Sequence, residues 1–294
     1  MLPLLRSQPA NGGRVQVDTQ FPERIRGLRE RSRVGGVGEV RLAVVKLGGS
    51  IITRKNVPFT PNLEAMRRIS EELGRLYRLG WRFVVVLGGG SYGHPVAHEY
   101  MYSGLMATGE AFSAITRAML ELSEVFAEVA SEYGLNPVIY PPHAFCRPRG
   151  FKPNCCWDIV RRAFWYDATP IVYGDAYPGY ASIQIVSGDE LAVEAACELG
   201  AERLVYLTDV PGVYDGEGRL IPLLTRAGLQ ELLEHESVGG SSSIDVTGGM
   251  RRKLQAILEL GCQGLRVVIG AGTRPGTLAL ALEGRREAGT WVEL

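Results

Sequence analysis

From Val40 onward, short runs of apolar and mostly β-branched residues alternate with longer stretches of helical periodicity. The runs are Leu42–Leu47, Phe83–Leu87, Pro137–Tyr140, Pro170–Tyr173, Arg203–Leu207 and Leu265–Ile269. They are continuously apolar rather than alternating, as strands covered on both faces are, and this predicts a largely parallel sheet. Helices are predicted between them over Pro61–Leu79, Ala111–Tyr133, Gly188–Leu199, Thr225–His235 and Gly249–Leu260. In the second, Ala111, Ile115, Ala118, Leu122, Val125, Phe126 and Val129 recur near the 3.6-residue period and form one apolar face. The alternation predicts an α/β fold, a three-layer αβα sandwich around a central sheet. In open sheets of this kind ligands bind at the carboxyl ends of strands. The connections Gly88-Gly89-Gly90, Gly174-Asp175 and Asp209–Asp215 fall at those ends.

A length of 294 residues with 46% hydrophobic content is enough for one large core or two lobes. Residues 1–38 carry Gln, Asn, Gly and several arginines without sustained periodicity, and are expected to be an N-terminal extension appended to the folded domain. Basic and acidic residues balance at 32 each, so no overall field favours nucleic acid or an anionic membrane. No apolar stretch approaches the roughly 20 residues of a membrane span. The five cysteines are odd in number and lack paired metal-ligand spacing, and the vicinal Cys155-Cys156 suits a disulfide poorly. A reducing, cytoplasmic location is the expectation.

Only four of the 32 basic residues are lysines. Lys46 opens Lys46-Leu47-Gly48-Gly49-Ser50, Lys55 follows shortly after, and Lys253 ends Asp245-Val246-Thr247-Gly248-Gly249-Met250-Arg251-Arg252-Lys253, leaving Lys152 as the exception. Where arginine serves for ordinary surface charge, these three positions suit a compact ammonium on a flexible stem. Glycines after a strand let backbone N–H groups approach an anion, and both Gly48-Gly49-Ser50 and Gly88-Gly89-Gly90-Ser91 qualify. Neither has Walker spacing or a dinucleotide fingerprint. His94, followed by Pro95, is expected to open a helix beside the second loop, where an imidazole can donate to a phosphate oxygen. His98, His143 and His235 are read as capping or packing residues. Phosphoryl transfer between two phosphate-bearing ligands is the chemistry this pattern predicts.

The segments from Lys46 to Lys55, Gly88 to His94, Tyr173-Gly174-Asp175, Ser187-Gly188-Asp189, Thr208 to Tyr214 and Asp245 to Lys253 together resemble the amino acid kinase superfamily. The glycine loop ending in histidine is similar to that of the archaeal-type isopentenyl phosphate kinases, and the match runs in order over about residues 41–292. The resemblance implies transfer of the γ-phosphoryl of ATP to isopentenyl phosphate, with Mg²⁺ and as a homodimer. It implies an acceptor-binding lobe over about 39–185 and an ATP-binding lobe over about 186–294. By resemblance, Lys46, Gly48, Gly49, Ser50 and Lys253 hold the ATP phosphates, and Lys55 stabilises the moving phosphoryl group. Gly89 and His94 hold the acceptor phosphate, Gly90 lies between the ligands, and Gly174-Asp175 supplies the aspartate that orders the lysines. Asp209, Tyr214 and Gly249 belong to the nucleotide pocket.

Two places depart from the family pattern. Ala176-Tyr177-Pro178-Gly179 replaces small apolar residues and a second acid, and Pro141–Asp158 is longer and more basic than expected. The apolar stretch Tyr100–Ala107 and the start of the Ala111 helix are candidates to close over a prenyl tail. Alternatives to an isopentenyl phosphate acceptor are another small phosphate or phosphonate, as in fosfomycin kinases, or nucleotide binding without turnover.

Overall fold

The computed structural model describes residues 41–149, 152–179, 182–237 and 248–294. The expected N-terminal extension and Asp245–Thr247 lie outside these residues. In chain order the first half comprises β1 (Arg41–Leu47), α1 (Gly49–Ile52), α2 (Leu63–Arg78), β2 (Trp81–Leu87), α3 (Gly90–Tyr102), α4 (Gly109–Glu132), β3 (Pro137–Ile139), α5 (Pro142–Phe145), β4 (Cys146–Arg149), β5 (Lys152–Cys155) and α6 (Trp157–Arg161). There follow β6 (Thr169–Tyr173), β7 (Asp175–Pro178), β8 (Ile183–Val186), α7 (Gly188–Leu199), β9 (Arg203–Thr208), β10 (Leu223–Thr225), α8 (Arg226–Ser237), α9 (Gly248–Leu260), β11 (Arg266–Ala271), α10 (Thr277–Leu282) and β12 (Thr290–Glu293).

One eight-stranded sheet has the order β10-β12-β11-β9-β1-β2-β6-β3. Pairing is parallel from β11 through to β3, and β12 runs antiparallel to β11. Period-two alternation divides β1 between two cores. Leu42 and Val44 pack with Leu191 and Ala195 of α7 and Leu254 of α9, whereas Ala43 and Val45 pack with Met66 and Ile69 of α2 and Phe126 of α4. This is the αβα sandwich expected. Helix α7 is bounded as its sequence dictates: Ser187 and Glu190 form a capping box, and Gly200 closes the other end in the left-handed region at φ 71°.

The second glycine loop differs from expectation. Helix α3 begins at Gly90, so His94 lies inside it and Pro95 is internal. Proline removes the N–H that would bond Ser91 O, and the N–H of Phe59 supplies that bond at 3.0 Å. A loop from another part of the chain thus satisfies the carbonyl that proline leaves free.

The cysteines also depart from expectation. Cys146–Cys155 and Cys197–Cys262 are disulfides, and Cys156 is free and exposed. The first pair closes the β4–β5 hairpin across directly opposed residues, and the second joins α7 to the turn before β11 across 65 positions. Spacing along the chain concealed both, because sheet register and helix packing bring the partners together. Cysteine usage therefore gives no support for a reducing compartment. Among the described residues, no helix is long and apolar enough to cross a membrane.

Candidate active site

The two glycine loops touch where β1 and β2 end side by side. A Cβ on Gly49 would collide with the backbone of Gly90, and Gly90 itself sits at φ 49° with Thr53 against the place its Cβ would occupy. Only glycine tolerates such close backbone approach. Thr53 fastens the contact: its hydroxyl donates to Gly49 O at 2.7 Å and accepts the N–H of Ser91 at 2.9 Å. The loops thereby form one rigid floor, with Gly48 tied to Leu207 O of β9 at 2.9 Å.

Lys46 and Lys253 converge on this floor from opposite sides of the chain. Each ammonium lies 2.9 Å from Asp189 Oδ1, in the first turn of α7. The lysines are 7% and 5% exposed, so the carboxylate supports two nearly dehydrated cations. Burial alone would raise the Asp189 carboxyl, but the ammoniums of Lys46 and Lys253 outweigh it and hold the group well below the usual carboxylate range. Burial and the neighbouring Lys46 charge bring Lys253 down to about 8, against the opposing pull of Asp189. Tyr206 adds support, its ring 4.5 Å from the Lys253 ammonium and its hydroxyl donating to the Asp189 carbonyl at 3.0 Å.

Lys55 stands apart from this pair. Its side chain is 62% exposed and reaches Asp209 Oδ2 at 2.5 Å. Burial would raise the Asp209 carboxyl, but hydrogen bonds from Lys55 and its own backbone, the Lys55 charge and the Ser50 hydroxyl together hold it below its ordinary value. His94 is exposed on α3 with its ring beside Gly89. Although the side chain is exposed, the protein crowded around its ring, then the charges of Lys46 and Arg252, keep its imidazole below the ordinary histidine value despite an opposing contribution from Asp189.

Lys46, Lys253, Ser50, Asp209, Lys55, Gly48, Gly49, Gly89, Gly90 and His94 are thus brought to the ends of three adjacent strands and the helices that follow. Tyr214 lies farther along the β9 connection, in a bridge to Leu220, and Gly249 is exposed in the first turn of α9. Gly174 packs against Gly188. One expectation requires correction: Asp175 does not order the lysines. Its carboxylate is bound by His143, at 2.7 Å to Nδ1 and 3.2 Å to the backbone N–H, and the carboxylate between the lysines is Asp189. Both aspartates follow glycine at the end of a strand, so local sequence does not separate them. His143 is likewise more than a packing residue, since its hydrogen bond to Asp175 outweighs its burial and raises its pKa. The tail candidates Met101 and Tyr102 stand exposed at the end of α3, Tyr102 by 80%.

A family model for the amino acid kinase family matches residues 41–271. The chain belongs to the amino acid kinase family. It is 29% identical to the isopentenyl phosphate kinase of Methanocaldococcus jannaschii over 269 residues, covering 86% of this chain and 98% of that protein. It is 33% identical to the isopentenyl phosphate kinase of Haloferax volcanii over 249 residues, covering 81% of this chain and 98% of the relative. Among solved structures, an isopentenyl phosphate kinase superposes with a TM-score of 0.71 at 26% identity, covering 86% of this chain and 100% of the other.

Proposed function

We propose that this protein transfers the γ-phosphoryl group of ATP to isopentenyl phosphate, giving isopentenyl diphosphate and ADP. The observation that carries the reading is the pair of buried lysines on one carboxylate beside two abutting glycine loops, the second running into His94. It is supported by the full-length similarity to isopentenyl phosphate kinases. Phosphoryl transfer depends on positioning and charge neutralisation, and an acceptor that is already an anionic phosphate oxygen needs no general base.

In this reading Lys46, Gly48, Gly49, Ser50 and Lys253 hold the ATP phosphates, with Asp209, Tyr214 and Gly249 along the nucleotide. Asp189 keeps both lysine heads at a fixed spacing and offsets their mutual repulsion. Lys55 exchanges its surface partner Asp209 for the phosphoryl group in flight. Gly89 and His94 take the acceptor phosphate, whose negative charge draws the imidazole toward its protonated, donating form. Residues 39–185 and 186–294 divide the acceptor and nucleotide sides. Mg²⁺ fits as an ion carried by the ATP phosphates, since no group of three potential ligands converges among the described residues and Mg²⁺ commonly binds through one or two carboxylates plus phosphates. Asp209, freed from Lys55, is the carboxylate best placed to meet it, and the ion would neutralise charge on the β- and γ-phosphates. A homodimer working in the ATP-rich cytoplasm completes the proposal.

A phosphotransfer screen with Mg-ATP across isopentenyl phosphate, dimethylallyl phosphate, geranyl phosphate, fosfomycin and amino acids tests it. Turnover should be highest with isopentenyl phosphate, and His94→Ala should weaken the acceptor in calorimetric titration while leaving ATP affinity nearly intact. Turnover of fosfomycin or an amino acid ahead of the prenyl phosphates overturns the acceptor assignment, and nucleotide binding without turnover of any of them overturns catalysis.

A further inference from the structure

Beyond the lysines, a second group of side chains is organised around a buried carboxylate. Asp175 follows β6 at 1% exposure, and its Oδ2 receives both the backbone N–H and Nδ1 of His143 while Oδ1 accepts the N–H of Ala176 at 2.8 Å. A proton is therefore held on Nδ1, and Nε2 has no hydrogen-bond partner among the described residues in a side chain that remains 31% exposed. Phe112, in the first turn of α4, stands edge-on to the imidazole with ring centroids 5.8 Å apart. The Cys146–Cys155 disulfide begins directly after the helix that carries His143. The ring is anchored through one nitrogen and open at the other.

Strand order places this ring at one end of the proposed cleft. Along the sheet the strands run β9, β1, β2, β6, β3, and they are followed by Asp209, Gly48, Gly88, Gly174-Asp175 and, after β3, His143. With ATP phosphates on the β9 and β1 side and the acceptor phosphate at β2, the acceptor's tail has β6 and β3 ahead of it, each step about 5 Å. Resting on the kinase reading above, we propose that His143 is the tail-end specificity residue of the acceptor site, and that through Nε2 the site accepts alkyl monophosphates bearing a tail hydroxyl. Nε2 is an acceptor in the neutral ring and a donor in the charged ring, and a hydroxyl pairs with either. A wholly apolar tail leaves Nε2 dehydrated and unpaired. The hydroxyl takes no part in the transfer: the acceptor's phosphate oxygen gains the phosphoryl group and ADP leaves, as with isopentenyl phosphate.

The test uses three acceptors with Mg-ATP: isopentenyl phosphate, its hydrate 3-hydroxy-3-methylbutyl phosphate, and the methyl isostere 3,3-dimethylbutyl phosphate. The wild type should prefer hydroxyl over methyl by about tenfold in kcat/KM, the size of one neutral hydrogen bond. His143→Asn keeps an amide N–H where Nδ1 stands and lacks Nε2, so it should abolish that preference without lowering the melting temperature. A purely structural clip would behave in the opposite way. The inference is overturned if the wild type uses isopentenyl phosphate but shows no hydroxyl preference, or if the preference survives in His143→Asn. Wild-type protein that uses none of the three overturns the underlying acceptor reading instead. The wild-type comparison stands even where the variant folds poorly.

Discussion

Asp189→Asn removes the charge that Lys46 and Lys253 share while preserving shape. At 2.9 Å, each ammonium–carboxylate contact is worth roughly 6 kcal/mol of attraction with an effective dielectric of about 20, before desolvation is counted. The net penalty for breaking a buried pair is about 3–5 kcal/mol. Most of it falls on Lys253, which burial and Lys46 have already brought to about 8 with Asp189 pulling the other way. Without the carboxylate, Lys253 sheds its proton nearer neutrality, because a neutral amine is the cheapest way to relieve two adjacent buried cations. A lysine is charged below its folded pKa, so wild-type kcat/KM for ATP, which reports the free enzyme, should be full below about 8 and fall as pH rises through it. In Asp189→Asn the same fall should move to lower pH. Steady-state phosphotransfer from about pH 6 to about pH 9 reads this directly as kcat/KM. Near pH 7.5 the variant should be about 10²- to 10³-fold slower than wild type, with partial recovery toward pH 6. A high-pH limb that stays near 8, with a loss below about tenfold, refutes the shared-carboxylate argument.

Four further outcomes are expected. Lys55→Ala should lower kcat by about 10²- to 10³-fold with little change in melting temperature, since an exposed pair contributes at most about 1 kcal/mol; lost stability with normal kcat would remove Lys55 from the chemistry. Gly90→Ala forces a Cβ against Thr53 at φ 49° and should cost at least about 1–3 kcal/mol in urea unfolding, with acceptor and ATP affinities falling together; an unchanged midpoint contradicts the abutting-loop geometry. Cys197→Ser opens a 65-residue loop and should cost up to about 4 kcal/mol by loop entropy, and reductant acting on the wild type should cost at least as much, since it opens Cys146–Cys155 as well. Thiol titration of denatured, unreduced protein should find Cys156 alone, and five reactive thiols would refute both disulfides.

The α/β class, the six strands of the main sheet that lie from β11 to β3 and five of the six helices of twelve or more residues were legible in the sequence, α3 being the exception, because burial on both faces leaves a continuous apolar run and burial on one face leaves a 3.6-residue period. Strands β10 and β12 and the two hairpins, all of three or four residues, were not; β3 is as short, but the apolar run that holds it continues through Tyr140. The residues that the proposed function assigns to phosphate were legible for a different reason: glycine loops and isolated lysines are costly or unusual locally, so each marks a position by itself. Partnership was decided by the fold. Asp175 and Asp189 share a local setting, glycine before and strand behind, yet one is 1% exposed against His143 and the other joins two lysines from chain positions 46 and 253. Cysteine pairing, the backbone bond that Phe59 makes to the carbonyl left by Pro95, and the clasp of Thr53 across two loops are of the same kind. Sequence records what each residue can do within its own turn or strand. Which carboxylate meets which cation depends on distances between elements, and those exist only once the sheet has set its strand order.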